Sequence, residues 1–217
     1  MNRHVSNGVA EFEMDIRLIY EGPLPTENSK VVEVKHSIRE ALRYQLFDHV
    51  RRRPALSLHV SKIRGTEEPS RQEEPDWAAI GRKYRFRGIE FVPLIVGAAH
   101  AVCHLDILFL RREESESLIT KPKDEYGGDL DNRLKIFLDA LRVPLNESEV
   151  PASAKPDEFP FCCLLEDDSL ITKLSIEADI LPGLYKKAEQ RHVQINLRAS
   201  LKLTFMTYYN LLLGSSN

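Results

Sequence analysis

Alternation of apolar and polar residues predicts most of the strands in this chain. Residues 12–20 place apolar side chains at every second position, which is typical of a half-buried strand. Extended stretches are also predicted at 84–96, 101–109 and 170–180, and the most regular alternation covers 193–205. This one-sided pattern favours a sheet with one covered face, which is more often antiparallel than parallel.

Apolar residues at helical spacing predict two helices. In the first, apolar residues recur at every fourth position over 38–50, and Ser37 with Glu40 has the spacing of a capping box. The second carries an apolar stripe over 134–141. Together these elements predict an α+β fold, with the helices packed on one face of a single mixed, mainly antiparallel sheet of about five strands.

Composition indicates an ordinary globular protein. The 217 residues are 42% hydrophobic and 29% charged, which suits one domain with a substantial core. The net charge of −3 does not indicate general nucleic-acid binding, although a local basic patch can still bind DNA. We interpret Cys103, Cys162 and Cys163 as buried hydrophobes in a reducing cytosol. Neither a signal peptide nor a membrane span is predicted, so we expect a cytoplasmic protein.

Acidic residues in two parts of the chain predict a divalent-cation site. Asp129 and Asp131 immediately precede the second apolar stripe, and residues two apart in an extended segment point the same way. Such carboxylates repel each other unless a cation lies between them, and Mg²⁺ prefers oxygen ligands. Asp168, at the entrance of the strand over 170–180, is the third predicted ligand.

Polar residues of the second helix surround this site. Lys135 lies four residues after Asp131 and three after Asn132, which puts all three on one side of the first turn. Either Asp131 or Asn132 suits the N-cap, and Asn132 could also orient a carboxylate. Lys135 could stabilise negative charge in a transition state, or form a surface ion pair with Asp131 or Asp139.

The order of these residues resembles the RusA family of Holliday-junction resolvases. The family pattern is D-L-D-N, a lysine one turn later, D-A-L, and D-D before a strand. In this chain it corresponds to residues 129–132, Lys135, residues 139–141 and residues 167–168. The proline-rich turn at 22–28 also resembles the one that follows the first strand of the family.

The resemblance implies a homodimeric endonuclease that cuts four-way DNA junctions in recombination and repair. The implied cofactor is Mg²⁺, with Mn²⁺ as a substitute. Asp129, Asp131 and Asp168 would be the essential metal-binding carboxylates, and Asp167 a weaker candidate ligand. Lys135 would be the essential lysine beside them.

Chain length distinguishes this protein from the usual members of that family. We predict one RusA-like nuclease domain over residues 1–217, with insertions near 54–80 and 142–166 and a C-terminal extension over 181–217. The long connection before Asp168 could supply a different ligand. The candidates within it are Glu147, Glu149 and Glu158.

Basic residues outside the acidic cluster are predicted to contact DNA. Tyr84 and Phe86 could stack on unpaired bases, although burial in the core is the favoured interpretation. His104 and Asp106 could approach the metal, although a solvated sheet face is favoured. The predicted DNA-binding residues are Arg82, Lys83, Arg85, Arg87, Arg111, Arg112, Lys121 and Lys123.

Two other functions remain open from the sequence. The same chemistry could act on other branched DNA, such as flaps or replication forks. A RusA-like fold could also bind DNA or a partner without catalysis, but pure binding gives no reason to crowd Asp129, Asp131 and Lys135 together.

Overall fold

The computed structural model of the protein describes nine segments of the chain, which are residues 5–6, 9–10, 13–25, 31–52, 82–97, 101–111, 130–154, 161–181 and 192–203. Within them the fold is α+β, as predicted. The helices are α1 (Val31–Arg52) and α2 (Leu130–Leu141). The strands are β1 (Val5–Ser6), β2 (Val9–Ala10), β3 (Glu13–Pro23), β4 (Arg85–Phe86), β5 (Ile89–Ile95), β6 (Ala101–Arg111), β7 (Phe161–Leu165), β8 (Ile171–Ile180) and β9 (His192–Leu203).

Four long strands form the main sheet, in the order β3–β9–β6–β8. Strand β9 pairs antiparallel with both β3 and β6, whereas β6 and β8 run parallel. The sheet is therefore mixed and mainly antiparallel, as predicted. Strand β9 lies inside this sheet, although it belongs to the region 181–217 that the sequence predicted as an extension.

A second sheet has the order β4–β5–β7, and β1 pairs with β2 in a separate two-stranded sheet. Strands β5 and β7 are parallel, and every residue of β7 is buried, as expected for a parallel strand covered on both faces. Strand β7 lies in the segment 142–166 that was predicted as an insertion. The expectation of a single sheet of about five strands is wrong, because alternation identifies strands but not their neighbours.

Helix α1 begins earlier than the sequence predicted. It starts at Val31, so Ser37 is an exposed residue inside the helix and the predicted capping box is wrong. Val31 and Val34 pack against the main core, and this burial favours helix there despite the modest helix propensity of valine. The predicted apolar stripe over 38–50 is confirmed, because its four apolar residues are buried.

One large core joins both helices to the covered face of the main sheet and to one face of β5 and β7. The rings of Tyr20 and Phe137, whose centroids are 6.2 Å apart, join β3 to α2. The three cysteines are free and buried, as predicted, and burial raises the pKa of the Cys103 thiol to about 12. No helix in the described segments has the length and apolar character needed to cross a membrane.

Candidate active site

The N-terminal end of α2 presents Asp131, Asn132 and, one turn later, Lys135 on the protein surface. Because the helix begins at Leu130, the expectation that Asp131 or Asn132 is the N-cap is wrong, and both belong to the first turn. Oδ1 of Asp131 accepts a hydrogen bond from the backbone N–H of Asn132 at 2.8 Å. A carboxylate at this end of a helix is favoured by the helix dipole.

A 3₁₀ turn at Asp168–Leu170 carries the second acidic position between β7 and β8. Asp167 caps this turn, since its Oδ1 accepts the backbone N–H of Ser169 at 2.9 Å. Hydrogen bonds from Ser169 hold the pKa of Asp167 below its usual value. The carboxylate of Asp167 is thus committed to the turn, whereas Asp168 is exposed and is the better placed of the pair to bind a ligand.

Helix α2 and this turn line one surface groove. Leu138 and Asp168 bound a cavity of about 480 Å³ together with Ile171 and other residues of β8. Leu138 is seven residues after Asp131, so it lies on the same side of α2, about 10 Å further along the helix axis. Asp168 therefore lies near Leu138, on the helix side that carries Asp131 and Lys135 nearer the N-terminal end.

The structure describes two of the four other candidate ligands. Asp129 and Glu158 lie outside the described residues, and so do residues 112–128, which precede Asp129. Among the described residues, no group of three His, Cys, Asp or Glu side chains is close enough to hold a metal ion. Glu147 is exposed in a 3₁₀ turn, and Glu149 is held by arginines.

Asp139 belongs to an ion pair between the helices. Its Oδ2 lies 2.6 Å from Nζ of Lys35 on α1, and both side chains are largely buried. This contact fixes α2 against α1 and gives Asp139 a structural role next to the groove.

A buried arginine network, which the sequence did not predict, anchors the C-terminal end of α2. Arg39 of α1 donates to the backbone carbonyls of Asp139 (3.0 Å), Arg142 (3.3 Å) and Glu149 (3.3 Å). Arg142 in turn forms a bidentate pair with the carboxylate of Glu149, at 3.0 and 3.1 Å. Burial lowers the pKa of Arg142, but its hydrogen bonds with Glu149 and the negative charges of Glu149, Asp139 and Asp168 outweigh burial and leave that pKa raised.

The Glu149 carboxylate is expected to make stability depend on acid pH. Burial raises the pKa of Glu149, but the hydrogen bonds and charge of Arg142 outweigh burial and leave the pKa below its usual value. The ionised form is thus favoured in the folded state, so its contribution is present above about pH 4.3 and is lost as pH falls through the lower folded-state pKa. Urea unfolding from pH 7 to pH 3 should show wild type losing its advantage over Glu149→Gln, and a constant difference would contradict this assignment.

Two of the predicted DNA-binding residues have partners within the protein. Lys83 lies 2.9 Å from Oε1 of Glu166, which also accepts the hydroxyl of Tyr84, while Oε2 accepts the N–H of Gly97 at 2.9 Å. Glu166 therefore ties β5 to the end of β7. Arg87, at φ 48°, donates through Nε to two carbonyls of the 142–166 connection.

The other basic positions differ in exposure. Arg85 is exposed, while Arg111 is buried and offers little surface to DNA. The side chain of Arg82 lies outside the description, as do Arg112, Lys121 and Lys123.

The sequence favoured core positions for Tyr84 and Phe86. It favoured a sheet face away from the metal for His104 and Asp106, and the structure agrees with both interpretations. Tyr84 and Phe86 pack against a second buried cluster around Phe91 and Phe161. His104 and Asp106 alternate with the buried residues of β6, so they lie on the sheet face opposite the helices.

Comparison of the chain with known protein families, with curated proteins and with solved structures found no match. The geometry described above is therefore the basis for assigning a function.

Proposed function

We propose that the protein is a Mg²⁺-dependent endodeoxyribonuclease of the RusA type, which cuts four-way DNA junctions. The observation that best supports this is the groove shared by Leu138 and Asp168. It supports a shared site because Leu138, which lines the groove together with Asp168, lies two turns after Asp131 on the same side of α2, although 37 residues separate the two acids in the chain.

The donor set fits a hard divalent cation. The carboxylates of Asp131 and Asp168 are exposed, and only one oxygen of Asp131 is used by a hydrogen bond within the described segments. Mg²⁺ takes few protein carboxylates and keeps several waters, so a shallow surface site suffices. Asp131, Asp168 and Asp129 would hold the ion, which when bound supplies a nucleophilic water at neutral pH and offsets phosphate charge.

Lys135 has the complementary role. Its ammonium group is exposed one turn after Asp131 and makes no ion pair with a described residue. A cation in this position stabilises the extra negative charge that develops on the phosphate as the bond to the leaving oxygen breaks. The carboxylates thus position the cation, and the lysine acts on the reacting phosphate.

A cleavage assay on a synthetic four-way junction, a flap and a linear duplex tests this proposal. With Mg²⁺ the wild-type chain should cut the junction in preference to the other two, and EDTA should abolish cutting. Preferred cutting of the flap would mean that the same metal-dependent chemistry acts on other branched DNA rather than on four-way junctions. Cutting of the duplex without preference would remove the resolvase assignment, and no cutting of any substrate would favour a non-catalytic binding protein.

A further inference from the structure

The groove between α2 and β8 combines an apolar wall with a polar side. A phosphodiester is charged and strongly hydrated, so contact with apolar side chains does not favour its binding. The apolar wall is therefore expected to contact a less polar part of a substrate. We define the apolar wall as Leu138, Ile171 and Leu174, and the polar side as Asp168, Ser169, Thr172 and Lys173.

Leu174 is the most exposed residue of the apolar wall, with 43% of its surface open to solvent. It is in register with the buried Leu105 of β6, and neighbours in register project from the same face of a sheet. Leu174 therefore lies on the core side of the main sheet, beyond the part that the helices cover. Leu138 of α2 bounds the same cavity, so the strand and the helix together form one concave apolar surface.

A register shift at the start of β8 lies inside the groove. Ile171 is paired with Cys103, and Lys173 is paired with His104, the next residue of β6. Thr172 is thus an extra residue, and such β-bulges redirect neighbouring side chains and are frequent beside active sites. Thr172 and Lys173 are both exposed, and Lys173 makes no ion pair with a described residue. A hydroxyl group and a cation therefore lie next to the 3₁₀ turn that precedes β8.

Lys173 and Leu174 lie on opposite faces of β8. Lys173 is paired with His104, which lies on the open face of the main sheet. The next residue, Leu174, lies on the core side, in agreement with the alternation of a strand. Strand β8 is the last strand of this sheet in the described segments, so no described strand closes its outer edge. A ligand at this edge would meet an apolar surface on one side and an ammonium group on the other.

An unpaired nucleotide has this combination of properties. The faces of its base bury favourably against apolar side chains, while its phosphate carries a charge that lysine neutralises. The cavity of about 480 Å³ lies within the range of about 300–1,000 Å³ that is typical of small-ligand sites. A base in continuous duplex is paired and stacked on both faces, so it enters such a groove only after it leaves the helix.

We infer that the groove holds one unpaired nucleotide of the DNA, with its base against the apolar wall and its phosphate beside Lys173. This nucleotide site rests on the proposed function, because Asp168 in the same groove would hold the cation at the adjoining phosphodiester. Such a site limits cleavage to phosphodiesters next to a nucleotide that has left the base stack. Branched DNA offers such nucleotides where its arms meet, whereas linear duplex keeps every base stacked.

The emission of 2-aminopurine, a base analogue that brightens when it is unstacked, tests this site without cleavage. Four-way junctions would carry the analogue at each nucleotide beside the branch point in turn, with Ca²⁺ in place of Mg²⁺ to limit cutting. Binding of the wild-type chain should raise the emission at one position, because an aliphatic wall shields the base without stacking on it. Emission that stays unchanged at every position would overturn the inference.

Substitution in the apolar wall tests which surface holds the base. Leu174→Asp places a carboxylate against the base, so it should weaken junction binding about tenfold and abolish the rise in emission. Ile176→Asp is the matched control, since Ile176 lies two residues further along the same strand face and exposes 38% of its surface but does not line the groove. This control should bind as wild type does. Equal losses for the two variants would contradict a site at the apolar wall.

An abasic nucleotide at the position that brightens removes the base without changing the protein. Wild type should bind this junction about tenfold more weakly than the intact one. Leu174→Asp should show no further loss, because its contact with the base is already absent. Additive losses from the abasic nucleotide and the substitution would overturn the inference.

Lys173→Gln tests the phosphate contact of the same nucleotide. It should weaken junction binding and reduce the salt dependence of binding by about one phosphate contact, and an unchanged salt dependence would remove Lys173 from the site. Cutting with Mg²⁺ is measured separately from emission. Cutting without a rise in emission would therefore remove the nucleotide site and leave the nuclease assignment intact, and a rise in emission without cutting would do the opposite.

Discussion

Asp131→Asn is expected to lower Mg²⁺-dependent junction cleavage by at least about 100-fold, equivalent to about 2.7 kcal/mol of transition-state stabilisation. The amide keeps the size of the side chain but removes the charge that would hold the cation. The side chain is exposed, so the free energy of unfolding should change by less than about 1 kcal/mol, the limit of a helix-dipole interaction. Initial rates of junction cleavage and a urea titration of both proteins measure the two effects.

A matched substitution on α1 controls for the general loss of an aspartate. Asp48 forms an exposed ion pair with Arg52 one turn away, and such pairs contribute little. Asp48→Asn should therefore cleave junctions at the wild-type rate. Equal activity of the Asp131 and Asp48 variants would remove Asp131 from the catalytic site.

Arg39→Ala should have the largest effect on stability, about 3–5 kcal/mol. The Arg39 side chain is fully buried and donates to three backbone carbonyls at the junction of α1, α2 and the following connection. Its removal leaves those carbonyls and part of the charge of Glu149 without a partner in the interior. Urea unfolding at pH 7 measures the loss.

Arg52 provides the contrast for this prediction. It is an arginine of the same helix whose side chain is 77% exposed and forms an ion pair with Asp48, its one such partner among the described residues. Arg52→Ala should change the free energy of unfolding by no more than about 0.5 kcal/mol. Similar losses for the two variants would mean that burial of Arg39 does not determine its contribution.

The sequence predicted those helices and strands that are buried on one face and exposed on the other. Strand β9 alternates because one face is buried, and its observed bounds differ from the predicted ones by one or two residues. Strand β7 could not be predicted in the same way, because burial on both faces leaves five consecutive apolar residues without alternation. The start of α1 was missed because tertiary packing, rather than a local capping signal, favours helix from Val31.

The candidate site was predictable only where its residues are neighbours in the sequence. The spacing of Asp131 and Lys135 places both on one helix side, and the exposure of both agrees with that. The network of Arg39 and Glu149 joins residues 110 positions apart, and no local pattern indicates such a contact. Arginines are rarely buried, so a charged residue beside an apolar stripe gave no reason to expect a core position.

The affinity for Mn²⁺ across a double-mutant cycle tests the central claim that Asp131 and Asp168 hold one cation. Titration calorimetry would compare wild type, Asp131→Asn, Asp168→Asn and the double variant. Each single substitution should weaken binding by about tenfold or more, and the double variant should lose little further affinity because both carboxylates serve the same ion. Wild-type affinity in either single variant, or no binding by wild type, would contradict the claim.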